Sequence, residues 1–181
     1  HICTPNHLHR DELLSAMAHG KAIYCDKPVT ADAAEAGDVE TALASYNGIT
    51  QMTFQNRFCP SAMRARDIIS EGRLGRVLQF RAAFLHAGSA NPDAPLKWKL
   101  SAKTGGGVIA DLGSHVLDLL SSWIGPYQAV SACTTIAFPD RPAVSDPDLR
   151  LPVDAEDSML VLARMMDGAV GTIEATKLAT G

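Results

Sequence analysis

No run of eighteen apolar residues occurs in this chain, which excludes a membrane-spanning helix. There is no Cys-x-x-Cys pair either. The four cysteines, Cys3, Cys25, Cys59 and Cys133, stand far apart, and reduced thiols in a cytoplasmic protein are the expectation. Cys3, His7 and His9 lie close in sequence, but their spacing matches no common zinc finger and no fourth ligand is evident, so no metal is expected. Basic residues are not clustered. With 16 Lys and Arg against 20 Asp and Glu, the net charge is -4, which argues against nucleic acid or an anionic membrane as a main partner.

The 181 residues that are present, 46% hydrophobic and 20% charged, have the composition of a globular chain with room for one domain or one and a half. His1-Ile2-Cys3 reads as the tail of a strand already in progress, and the last residues read as the end of another. The chain is therefore expected to be an interior segment of a longer protein, and no secretory leader is visible.

The first third alternates strand and helix. Residues 10–19 carry helical spacing and end at Gly20; Ala22 to Cys25 suits a buried strand. Thr30 is expected to cap a helix over about 31–46, and Ile49 to Gln55 reads as the next strand. That rhythm predicts a doubly wound parallel sheet over residues 1–55. From residue 56 to 181 the pattern changes. A helix over about 61–71 opens at Pro60, and strands are expected at 76–86 and 128–138. A hairpin over 159–177 turns at Asp167-Gly168 with a type I′ signature, and the Pro/Asp-rich stretch 139–156 reads as an exposed excursion. This second region reads as an α+β domain with a mostly antiparallel sheet.

Between the two long strands lies Gly105-Gly106-Gly107, followed by an apolar segment carrying Asp111, His115, Asp118 and Ser122. As one α-helix these four form a single polar stripe, and a helix so apolar elsewhere must turn that stripe toward a cavity or buried partners. An Asp one turn from a His is an acid/base arrangement, though the pair could equally bond to each other and to nearby backbone. Thr4 to His9 and Asp26-Lys27-Pro28 both follow expected parallel strands, at the sheet edge where such folds bind ligands. Pro28 holds Lys27 out of helical geometry and makes a cis bond possible there.

The ordered set Thr-Pro-Asn-x-x-His, Gly20-Lys21, Asp26-Lys27-Pro28, Asn56-Arg57-Phe58-x-Pro60, Gly72-x-x-Gly75, Trp98-Lys99 and Gly-Gly-Gly-x5-Gly-x-His closely resembles the Gfo/Idh/MocA oxidoreductases over nearly the whole chain. The resemblance implies an NAD- or NADP-dependent dehydrogenase acting on a hydroxyl of a sugar, inositol or related polyol. It implies catalytic roles for Lys27, Asp111 and His115, with His115, oriented by Asp111, taking the hydroxyl proton while Lys27 holds the developing oxyanion. Thr4, Pro5, Asn6, His9, Asp26, Lys27, Pro28, Asn56, Trp98 and Lys99 are implied on the cofactor side. Asp26 stands where the family more often has Glu, and Lys99 where it has Arg. Arg57 and Asp118 join the candidate substrate contacts, or form an ion pair.

The Gly-x-Gly-x-x-Gly phosphate loop is absent from residues 1–181, and with it the residue that separates NAD from NADP. A nicotinamide-assisted glycosidase and a non-catalytic sugar or cofactor sensor are the alternative activities, and self-association through the open sheet face is a further expectation.

Overall fold

The strand-helix rhythm at the start of the chain produces a small parallel layer in the computed structural model, which describes residues 1–180. α1 (Asn6–Ala18), β1 (Ile23–Asp26), α2 (Ala33–Leu43) and β2 (Thr50–Thr53) follow in order. β1 and β2 pair in parallel from Ile23 opposite Thr50 to Asp26 opposite Thr53, and Ile2 bridges Cys25 in parallel on the other edge. Leu13 and Met17 of α1 and Val39 of α2 pack on Ile2, Ile23 and Cys25 to close a core around these short strands.

Two local expectations need correcting here. α1 begins at Asn6 rather than near Arg10, so the segment expected as a loop is already helical; Pro5 precedes it with extended ψ. The cap of α2 is Asp32, not Thr30. The Asp32 carboxylate accepts from the Glu35 N–H at 2.9 Å while Glu35 accepts from Ala31 N–H at 3.0 Å. Thr30 donates to the Asp32 carbonyl instead.

A 3-10 turn (Gln55–Phe58) leads into α3 (Pro60–Ser70), then β3 (Gln79–Leu85). Short 3-10 turns at Trp98–Leu100 and Ala102–Thr104 occupy the loop before α4 (Ser114–Ile124). β4 (Tyr127–Thr135), β5 (Asp140–Pro142), β6 (Arg150–Pro152), β7 (Ser158–Met165) and β8 (Val170–Thr176) complete the chain. The main sheet has the order β3-β8-β7-β4, parallel between β3 and β8 and antiparallel at the other two pairings. β7 alternates buried Met159, Val161, Ala163 and Met165 with outward residues, so a single face meets the helical layer. There Val108, Val116 and Leu120 pack against Met159, Val161, Ile173 and Ala175. Each large side chain so buried contributes about 1.5–3 kcal/mol, which makes this layer the platform for the segment above it.

The hairpin turn is not type I′. Gly168 has φ +94° but no non-glycine residue has positive φ, so Asp167 does not share the left-handed geometry that turn requires. The stretch 139–156 is not a free excursion either. β5 and β6 pair there, and Arg141, Ala143, Val153 and Ala155 are buried. Arg141 holds it down, donating to the carbonyls of Asn91 at 2.5 Å and Ser89 at 2.6 Å. Among the described residues, no helix is long and apolar enough to cross a membrane.

Candidate active site

The segment after Gly107 is not one continuous α-helix. Ile109–Gly113 forms a π-helical turn and α4 begins at Ser114, so the expected polar stripe is broken between Asp111 and His115. Glu156 secures its start by accepting from the Ile109 N–H at 2.9 Å. Gly105, at φ +74°, closes the preceding turn, where a Cβ would lie 2.6 Å from Asn6 Cβ.

Lys27 leaves the end of β1 and reaches across to this turn. Its ammonium donates to the Asp111 carbonyl at 2.6 Å and, less closely, to the Ala110 carbonyl at 3.3 Å. The Lys27-Pro28 peptide bond is cis. Asp111 faces three lysines: its Oδ1 lies 3.4 Å from Lys27 and 3.0 Å from Lys99, and its Oδ2 lies 3.3 Å from Lys177. Burial alone would raise the Asp111 carboxyl, but Lys99, Lys177 and Lys27 overcome it and hold the pKa at about 2. For Lys27 burial wins: desolvation lowers its pKa, helped by Lys99 and Lys177 and opposed by Asp111. An ammonium poised in this way binds an oxyanion and can pass a proton more readily than an exposed lysine.

No hydrogen bond or ion pair joins His115 to Asp111, which corrects the expectation that the carboxylate orients the ring by bonding to it. Both Asp111 oxygens are taken by ammonium groups. The imidazole is buried, with its Nδ1 lacking a hydrogen-bond partner. Packing orients it: Phe54 meets the ring edge-on at 6.0 Å and Phe84 lies tilted at 6.4 Å. Desolvation, with Lys27 adding to it, lowers the His115 pKa against the pull of Asp111 and Asp118. The ring is therefore neutral near pH 7, the form a proton acceptor needs.

Two cavities meet at Asp111. One of about 180 Å³ is bordered by Thr4, Asn6, Asp26, Lys27, Trp98 and Lys99, with Gly105 to Gly107 as backbone wall. The other, about 490 Å³, has Phe84, Lys99, Leu112, Arg141 and Lys177 in its wall. Six of the residues expected on the cofactor side thus border one space, and Thr53 Oγ1 fixes Asp26 at its rim at 2.7 Å.

The remaining expected residues stand elsewhere. Pro5, Pro28 and Asn56 do not line either cavity, and neither does His115, which lies buried behind the Asp111 turn. His9 is fully buried, with its ring nitrogens 2.8 Å from the Pro28 carbonyl and 2.9 Å from the Thr4 carbonyl. A ring so enclosed fastens the two loops that flank the cavity. Arg57 and Asp118 form a bidentate pair with each other, Nε to Oδ2 at 2.6 Å, and each already has its partner.

Lys177 is the residue that motif reading passed over. The inward face of β8 runs Ile173, Ala175 and on to Lys177 at every second position, all buried, so a lysine continuing an apolar face was the available signal.

Residues 62–181 match the family described as the Gfo/Idh/MocA C-terminal domain, and residues 1–54 match the oxidoreductase family with an NAD-binding Rossmann fold. A levoglucosan dehydrogenase from Pseudarthrobacter phenanthrenivorans is 34% identical over 192 residues, covering 99% of this chain and 49% of that protein. An inositol 2-dehydrogenase from Rhizobium meliloti is 28% identical, covering 99% of this chain and 50% of its own. A solved levoglucosan dehydrogenase in complex with NADH and levoglucosan superposes with a TM-score of 0.93 at 35% identity, covering 99% of this chain and 48% of that one. The chain spans about half the length of the curated relatives it matches.

Proposed function

This chain belongs to the Gfo/Idh/MocA oxidoreductase family, and from that premise we propose that it carries the catalytic part of an NAD(P)-dependent dehydrogenase oxidising a hydroxyl of a sugar or polyol. The observation that carries the reading is the reach of Lys27 from the parallel sheet onto the Asp111 turn, 2.6 Å from its carbonyl, one turn before a buried neutral His115.

The smaller cavity suits the nicotinamide end of the cofactor. Trp98 offers a partly exposed indole face, Asn6 and Thr4 offer polar edges, and Lys99 and Asp26 stand at the rim. When bound there, the cofactor supplies the hydride acceptor. Everything else falls to the chain. A substrate hydroxyl entering from the larger cavity displaces one of the two long contacts of Lys27, which then donates to the hydroxyl oxygen and stabilises the charge it develops. His115, kept unprotonated by burial and by Lys27, receives the hydroxyl proton on its imidazole. Asp111 keeps three ammonium groups in place around the reacting oxygen without itself accepting the proton, since its carboxyl is held at about 2. We place self-association on the outer sheet face, where Val130, Leu160 and Leu162 are exposed.

A panel of anhydrosugars, inositols and aldoses offered with NAD⁺ or NADP⁺ tests the proposal. Growth of the reduced-nicotinamide absorbance with at least one polyol is expected. Release of free sugar without net reduced cofactor would replace the dehydrogenase by a glycosidase, and binding without turnover would replace it by a sensor.

A further inference from the structure

Of the three ammonium groups gathered on Asp111, one is almost wholly buried. Lys177 follows β8 and is only 5% exposed. Its chain is pinned on both sides, the N–H donating to the Asp157 carbonyl at 2.9 Å and the carbonyl accepting from Ser89 N–H at 2.8 Å. The side chain runs inward to 3.3 Å from Asp111 Oδ2 and donates to the Gly107 carbonyl at 3.5 Å.

A buried ammonium costs several kcal/mol unless it is paired, and a merely structural ion pair needs one acid for one base. Here Lys27, Lys99 and Lys177 share a single carboxylate, and the other charged or titratable groups around the cluster are Asp26 at the end of β1, His86, Lys97 and Arg141 in the wall of the larger cavity, His115 and Asp118 on α4, and Glu156 before β7. The oxygens of Asp111 are divided: Oδ2 goes to Lys177, Oδ1 to Lys27 and Lys99. Releasing Oδ2 would let the carboxylate rotate and would change which oxygen faces Lys27.

We propose that Lys177 is a positioning residue, holding the Asp111 carboxylate so that Oδ1 stays with Lys27 and the Lys27 ammonium stays where a substrate hydroxyl meets it. This rests on the dehydrogenase reading above. The charge of Lys177 also lowers the Lys27 pKa, after the larger effect of burial.

Lys177→Gln and Lys177→Arg in the intact protein test it, with Lys177→Met as second neutral variant should the glutamine protein not fold. The neutral variant is expected to lose about 100-fold in kcat while cofactor affinity changes by no more than about threefold, the signature of lost alignment rather than lost binding. Its alkaline limb should move upward, because one repelling charge has left Lys27, and arginine should restore most of both. The Lys27 amine, titrated by lysine-selective NMR, should also shift upward in the neutral variant. A neutral variant that melts earlier but keeps its kcat, its pH limbs and the Lys27 titration would overturn the proposal. Wild-type protein that turns over no polyol would sink the dehydrogenase reading alone, because the amine titration still decides the role of Lys177.

Discussion

Asp111 and Asp118 sit seven residues apart on the same helical segment, and they have opposite surroundings. Asp118 is matched by one guanidinium in a bidentate fork and has nothing left to offer. Asp111 is crowded by three ammonium groups, none in a fork, at the meeting point of two cavities. A saturated charge pair braces α4 against the turn that carries Arg57. An unbalanced cluster of cations, with Lys27 and Lys177 mostly buried and Lys99 half exposed, keeps attraction in reserve for an incoming oxygen. Exposure alone would not separate them, since the Asp118 side chain is the more buried of the two, at 8% against 22%.

Substitutions should widen this contrast. The largest effect is expected from His115→Ala, which removes the proton acceptor: kcat should fall by about 10²–10⁴-fold with little change in cofactor affinity, read by steady-state kinetics. Asp111→Asn should come next, leaving three lysines about one neutral amide and lowering kcat by about 100-fold through misplacement of Lys27. Its counterpart Asp118→Asn should leave turnover within a few fold. Because Arg57 is 44% exposed and can return to water, that change should cost about 1 kcal/mol, a drop of about 3 °C in Tm by calorimetry.

The smallest effects concern pH. His115 has a folded pKa below its ordinary 6.5, so the native state disfavours its protonation, and both stability and activity are lost as pH falls through that lowered value. The acid limb of kcat/KM should accordingly lie below pH 6.5. Asp111 has a depressed pKa, about 2 against 3.8, so its contribution to stability is full above about 3.8 and disappears as pH falls toward 2. Asp111→Asn should flatten that part of an acid-unfolding curve, read by circular dichroism.

Much of this architecture is visible in residue order. Strand and helix alternate up to β2, the β7–β8 hairpin is announced by Asp167-Gly168, and the ordered motifs bring Lys27, Asp111 and His115 into view before any coordinates. What stayed hidden has physical reasons. A π turn needs the same apolar residues as an α turn, so periodicity over 108–123 cannot reveal that Asp111 and His115 part company. The burial of Arg141 depends on carbonyls near residue 90, some fifty positions away, while the prolines and aspartates around it made the whole 139–156 stretch look solvated. His9 carries a family motif, yet its neighbours turn it into a fastener. Lys177 was legible only by carrying the inward alternation of β8 one step past the last apolar residue.

The most direct measurement is the rate of nicotinamide reduction by the intact protein with its best polyol, wild type against Lys27→Met, with cofactor affinity determined separately by calorimetry. A loss of about 10²–10³-fold in kcat with cofactor affinity preserved is the predicted result, since the oxyanion donor alone is gone. Turnover within a few fold of wild type would mean that the amine resting on the Asp111 turn takes no part in the reaction.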